Sequence, residues 1–333
     1  MGMRGANGRF AMRRRLRPEQ PVYHGRMPSP FDLLARSASE PIRRWVLSAF
    51  PRDGGGGIDY DRPPGDPGLF DPAGATWRIH ANFPGMLAGG LAALMLQTLH
   101  PLALAGVWDH SGFRDDLLGR LRRTTAFVGG TTYAPRAAAE ALIARVRQIH
   151  THVRGHAQDG RPYEANDPDL LTWVHVTEAY CFLQGYRRYS HIRLPAGAAD
   201  RYYDEARRIA EALGARRVPA SERAVDEYFR DVQPELVFSD RARAVLDILA
   251  QVRLPVPAAG LSRDLFLLAA AALLPPWARS RLGHTPRRQW QAGMAARALW
   301  SMAPLFRVAL QDGIASRACR RIGMPPARLQ HWP

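Results

Sequence analysis

The chain has 333 residues, 46% of them apolar and 23% charged, with only two cysteines, Cys181 and Cys319, and a formal net charge of +16. That length and apolar share suit one or two packed domains and exclude wholesale disorder, a disulfide scaffold and a fibre, the last because 27 prolines are scattered along the chain. Lysine is absent, so all 46 basic residues are arginine, which points to a GC-rich genome before it points to a function.

Residues 1–44 hold ten arginines against Glu19, Asp32 and Glu40, a net +7, with the densest run at Arg13-Arg14-Arg15-Leu16-Arg17. A nucleic-acid arm or a patch for anionic membrane is the sharp reading of that run. The plainer reading, adopted here, is a disordered basic leader over residues 1–28, or a start at Met12 or Met27, and it disfavours nucleic acid as the partner while leaving peripheral membrane contact open. Glu19, Gln20 and His24 follow the arginines where an export signal needs an apolar run, so the chain is expected to be cytoplasmic. A first helix is expected over Phe31 to Phe50, with a break at Pro41, and residues 29–75 close with a Gly/Pro-rich linker over 51–75.

From Thr76 onward the pattern is helical almost without pause. Phe83 to Leu96 reads as a wholly buried helix, too short for the roughly 20 residues that a membrane span needs. Asp167-Pro168 and Thr285-Pro286 each pair a capping residue with proline at the first helical position. Gly214 is a stop after Arg201–Leu213, Ser221 caps Glu222–Arg230, Asp240 opens Arg241–Val252, and Ser262 opens the apolar run Leu265–Leu274. Alternating strand patterns are nearly absent and no internal repeat occurs. The fold class is therefore all-α, a multi-helix bundle with its main domain over 76–285 and a helical extension over 286–333.

Three constellations could carry chemistry. Ala138–Arg154 reads as one amphipathic helix. With Val146 at 0° and about 100° per residue, Leu142, Ile143, Ile149 and Val153 fall within about 60° of it, and His150 falls at about 40°. His152, at about −120°, lies on the polar face, so the two histidines point apart. An inward histidine needs a partner, either a backbone carbonyl or a metal; a single imidazole commonly holds haem iron. Leu170–Tyr189 carries His175 and Glu178 three residues apart on one face, either a buried structural couple or an acid–base or metal-ligating pair. Around residue 100, Gln97-Thr98-Leu99-His100-Pro101 and Asp109-His110-Ser111 precede a basic helix in which Arg120 and Thr124 share a face. An arginine and a hydroxyl on one face can anchor a carboxylate or phosphate, although a surface helix is the simpler explanation of a bare arginine cluster. His152-x-x-x-His156 has zinc-like spacing but is interrupted by Gly155 and has no cysteines near it. No glycine-rich phosphate loop and no GxSxG elbow occurs.

Taken in order, these segments resemble a known family. The matching stretches are Thr76-Trp77-Arg78-Ile79-His80, Gln97-Thr98-Leu99-His100-Pro101 and Asp109-His110-Ser111-Gly112-Phe113-Arg114. Gly119-Arg120-Leu121-Arg122-Arg123-Thr124 and Val146-Arg147-Gln148-Ile149-His150 come next, then Tyr163-Glu164-Ala165-Asn166-Asp167-Pro168, Trp173-Val174-His175 and Leu273-Leu274-Pro275-Pro276-Trp277. The family groups bacterial latex-clearing proteins (rubber oxygenases) with the ER-bound oxygenase of fungal mycophenolic acid biosynthesis. The resemblance implies a globin-like helical core that binds haem b and uses dioxygen, with an electron donor as a further partner. It implies His150 as the proximal iron ligand and metal site, with His175 as runner-up, and Arg120 with Thr124 in the haem pocket. His100, His110 and His175 become candidate pocket residues. The latex-clearing proteins are secreted, the stretch between Thr124 and His150 is shorter than theirs, and their Tyr-Gly is here Tyr133-Ala134. Fold and cofactor therefore carry over better than substrate, and the expected substrate is a hydrophobic small molecule rather than rubber. A non-catalytic haem sensor or carrier is the alternative.

Overall fold

The computed structural model describes residues 2, 30–49, 57–253 and 258–332. The basic leader, Gly2 apart, and residues 51–56 of the Gly/Pro-rich stretch lie outside the described residues. The described residues form fourteen α-helices and one two-stranded hairpin, an all-α architecture.

The centre is an antiparallel pair, α3 (Phe83–Gln97) and α7 (Pro168–Tyr189). The Asn82 side chain starts α3 by accepting from Gly85 N at 2.8 Å, and Asp167 starts α7 by accepting from Asp169 N at 2.8 Å. Both helices are apolar nearly all round, and burying both faces is what places them inside. Their backbones meet where side chains are missing. A Cβ on Gly185 would sit 2.2 Å from Gly85 O, and one on Gly89 would sit 2.8 Å from Cys181 O. Glycine is required there because no larger residue fits.

Other helices wrap this pair. On it and on one another pack α1 (Pro30–Ala49), α11 (Ala259–Ala271) and α13 (Pro286–Ala309). α2 (Ala75–His80), α5 (Leu117–Tyr133), α6 (Arg136–His150) and α8 (Ala198–Leu213) form the wall across from α7. α4 (Pro101–His110) leaves α3 at a bend of 107°. α9 (Glu222–Val232), α10 (Asp240–Gln251), α12 (Pro276–Arg281) and α14 (Ile314–Arg321) complete the shell. No single helix among the described residues is long and apolar enough to cross a membrane, and only the bent α3–α4 pair has the length and composition to do so. The described part of the Gly/Pro-rich stretch is held down: Tyr60 and Phe70 are buried, and Arg321 donates to Tyr60 O and Tyr133 O, both at 2.9 Å.

Several boundaries differ from expectation. α1 continues through Pro41 as one helix. α6 stops at His150, because the chain turns into a hairpin, β1 (Arg154–His156) against β2 (Pro162–Glu164), with Ala165 N donating to Val153 O at 2.8 Å. Ile149, assigned to the inward stripe, is 53% exposed, while Ile143 is buried and His152 is exposed. α10 is capped by Ser239, one residue before Asp240, and α11 starts at Ala259, three residues before Ser262.

Candidate functional site

α5 and α7 place polar side chains on facing walls of the interior. Asp116 caps α5 by accepting from Gly119 N at 2.7 Å, so that Arg120 and Thr124 lie one turn apart on its half-buried side. The Arg120 Nη1 is buried with no hydrogen-bond partner. Burial and the neighbouring Arg123 lower its pKa to about 10, against the pull of Glu178. Glu178 answers from α7, where burial pushes its carboxyl up to about 7 despite a hydrogen bond from Gln97 and the charge of Arg120. Gln97, at the end of α3, also approaches Thr177 Oγ1 at 3.2 Å.

His175 lies one turn before Glu178 on α7. No hydrogen bond or ion pair joins the two, and His175 has no hydrogen-bond partner among the described residues. Burial lowers its pKa to about 4, so the ring is neutral at neutral pH. Both side chains are surrounded by protein. A narrow pocket with about 30 Å³ of free space lies between Leu94, Gln97, Thr98, Phe113, Leu117 and Arg120. That is about the volume of one water molecule.

His80, at the end of α2, was not singled out from the sequence as a site residue, and it is the most fully engaged histidine of the interior. Its Nδ1 is 2.8 Å from Thr132 Oγ1 and its Nε2 is 3.0 Å from Tyr202 Oη. The Thr132 hydroxyl proton already goes to Val128 O at 2.7 Å, so Thr132 must accept from His80 Nδ1–H. Nε2 is then the acceptor and Tyr202 the donor. Burial, aided by the charge of His175, lowers the His80 pKa to about 3, which agrees with that neutral tautomer. The available signals were position alone: His80 closes the Thr76–His80 stretch, and Tyr202 lies on the buried face of α8.

The remaining candidates lie elsewhere. His150 ends α6, half-buried, with its Nδ1 buried and unpartnered and its pKa lowered by burial. His100 is the N-cap of α4, accepting from Ala103 N at 3.5 Å, with Glu235 at 3.6 Å and the Trp173 ring beside it. His110 is exposed and pins the hairpin, 3.2 Å from Tyr163 Oη and 3.3 Å from Arg154 O. Tyr163 gives its own proton to Asp109 at 2.6 Å, and its pKa is pushed up to about 12 by burial and that bond. Arg120 and Gln97 thus line one narrow pocket, with Glu178 bonded to Gln97 and His175 one turn away on the same helix, while His100 and His110 serve the two ends of α4. Among the described residues, no group of three or more His, Cys, Asp or Glu side chains is arranged to hold a metal ion.

No curated protein and no solved structure matches the chain. The catalytic-domain family described as ER-bound oxygenase mpaB/B'/Rubber oxygenase matches residues 77–328, which takes in α3, α5, α6, α7 and the narrow pocket. The chain therefore belongs to the ER-bound oxygenase mpaB/B'/rubber oxygenase catalytic-domain family.

Proposed function

We propose that this oxygenase-family domain is haem b-dependent, has a core of the globin-like kind, and acts with dioxygen on a hydrophobic small molecule. The observation that carries the reading is that two buried polar atoms, His150 Nδ1 on α6 and Arg120 Nη1 on the adjoining α5, have no partner. Buried polar atoms without partners cost about 1–3 kcal/mol each, and a ligand that supplies the partner recovers that cost. The donor set suits haem: one imidazole to hold iron, one guanidinium to pair with a carboxylate side arm. His80 and His100 are poorer ligand candidates because hydroxyl, backbone and carboxylate partners already occupy their nitrogens.

In this reading His150 holds the iron and Arg120 pairs with a haem propionate, with Thr124 beside it. When bound, haem supplies the activation of dioxygen. Glu178, titrating near neutrality, can hold or release a proton at its carboxyl oxygen, with the Gln97 amide fixing that oxygen in place. Neutral His175, one turn from Glu178, has no hydrogen-bond partner of its own. Leu94 and Val174 flank the polar set and exclude water from it. The roughly 30 Å³ now free near Arg120 holds no porphyrin, so binding requires the elements around that pocket, α3, α4, α5 and α10, to rearrange.

The test is the absorption spectrum of the full chain produced with ample haem. A Soret band is expected, and it should shift or vanish in His150→Ala while persisting in His110→Ala. A haem-replete preparation with no Soret band defeats the haem reading. An unchanged spectrum in His150→Ala defeats the ligand assignment and moves it to His175.

A further inference from the structure

A second, larger pocket of about 220 Å³ opens where the end of α7 meets α11, α12 and α13. It lies roughly 20 Å along α7 from His175, at about 1.5 Å of rise per residue, so it is separate from the narrow pocket near Arg120. Arg188, Arg279, His284 and Gln289 line it, with small residues such as Ala271 and Gly293 leaving the room. No carboxylate lines it. Arg187, the neighbour of Arg188, forms a two-pronged pair with Glu222 at 2.6 and 2.8 Å. Neither Arg188 nor Arg279 has a hydrogen bond or ion pair among the described residues; the groups whose titration they perturb are Tyr189, Tyr180 and His284. Burial and the charges of Arg288 and Arg279 drive the His284 pKa down to about 4, leaving a neutral ring able to donate one hydrogen bond. Two unpaired guanidiniums and a neutral imidazole around one concavity match a phosphate group.

The helix that closes this pocket also carries an unusual outer face. α13 holds four arginines and no acidic residue. Arg287, Trp290, Met294, Arg297 and Ser301 fall on one exposed stripe by helical spacing. Trp290 is 67% exposed and Met294 45%, directly beside the pocket residues Gln289 and Gly293. A second copy of the chain fits this face poorly, since two such helices face to face bring arginine against arginine. An exposed tryptophan among arginines suits the interface of an anionic bilayer, and a pocket of this size suits a headgroup better than a peptide segment.

We propose that this pocket binds the phosphate of an anionic phospholipid headgroup, with Trp290 and Met294 seated in the membrane interface. The inference is independent of the haem reading, because no residue is shared. Sedimentation of the full chain with vesicles tests it. Vesicles containing phosphatidylglycerol should carry the protein down, phosphatidylcholine vesicles should not, and added salt or inorganic phosphate should release it. Exposed Arg188→Glu together with Arg279→Ala should weaken partitioning by about thirtyfold, at about tenfold per 1.4 kcal/mol and about 1 kcal/mol per arginine. Trp290→Ser should weaken vesicle binding while leaving inorganic phosphate binding intact. If Arg279→Ala does not fold, Arg188→Glu alone decides. Equal binding to both vesicle types, or to neither, overturns the proposal. So does phosphate binding that survives both arginine variants, phosphate binding without vesicle binding, or self-association that Trp290→Ser abolishes.

Discussion

Around α2 the deep charged and histidine side chains are partnered, the Trp77 indole N–H being left over, whereas on α5 and α7 Arg120 Nη1 and the His175 ring are not. Glu205, reaching across 130 residues, caps α2 by accepting from Ala75 N at 3.1 Å, Thr76 N at 2.8 Å and Thr76 Oγ1 at 2.9 Å. Arg78 donates to His331 O at 2.7 Å and Gly74 O at 2.8 Å, and His80 is held at both nitrogens. The first arrangement offsets most of the cost of burial and holds the scaffold; the second leaves a standing cost. The contrast sets residues that build the fold against residues whose hydrogen-bonding capacity is unmet.

Three substitutions can break or sharpen that contrast. Glu205→Ala should have the largest effect, about 3 kcal/mol of lost stability in denaturant unfolding, because three donors at a buried helix start lose their acceptor. Next comes Glu178→Gln, read through the pH dependence of thermal unfolding. The folded-state carboxyl is raised from 4.5 to about 7, so its contribution to stability is present at low pH and is lost as pH rises through that window. His175, lowered from 6.5 to about 4, acts oppositely: its contribution is present at neutral pH and is lost as pH falls through that window. The two partly cancel in the natural chain. Glu178→Gln removes the first, so Tm should rise more steeply between about pH 4.5 and 6.5, and a curve parallel to that of the natural chain would contradict the assignment. Arg120→Met should have the smallest effect, within about 1 kcal/mol in either direction, since it removes a charge that forms no ion pair. A loss as large as that of Glu205→Ala would erase the distinction between the two regions.

Most of the helical frame was readable from local chemistry. Asp167-Pro168 and Thr285-Pro286 start α7 and α13 as expected, and Gly214 ends α8 at a φ of 118° that other residues avoid. His100-Pro101 has the same capping form, with imidazole in place of the usual short polar side chain, and this explains a histidine that looked like a pocket residue. The end of α6 was not readable, since helical periodicity carries no sign of the hairpin that takes over after His150. For the candidate site, helical spacing alone pairs Arg120 with Thr124 and His175 with Glu178. His80 could not, because its partners Thr132 and Tyr202 lie 52 and 122 residues away, and only the assembled fold brings them to it.

The glycine contact between α3 and α7 has a mechanical consequence. At Gly85 and Gly185 backbone touches backbone, so no side chain there can yield and that end of the pair acts as a fulcrum. At the opposite end the polar links are long side-chain bonds from Gln97, at 3.2 Å to Thr177 Oγ1 and 3.4 Å to Val174 O, beside apolar packing that can yield. Any splaying of the two rods is therefore greatest at the end that carries Gln97 and His175.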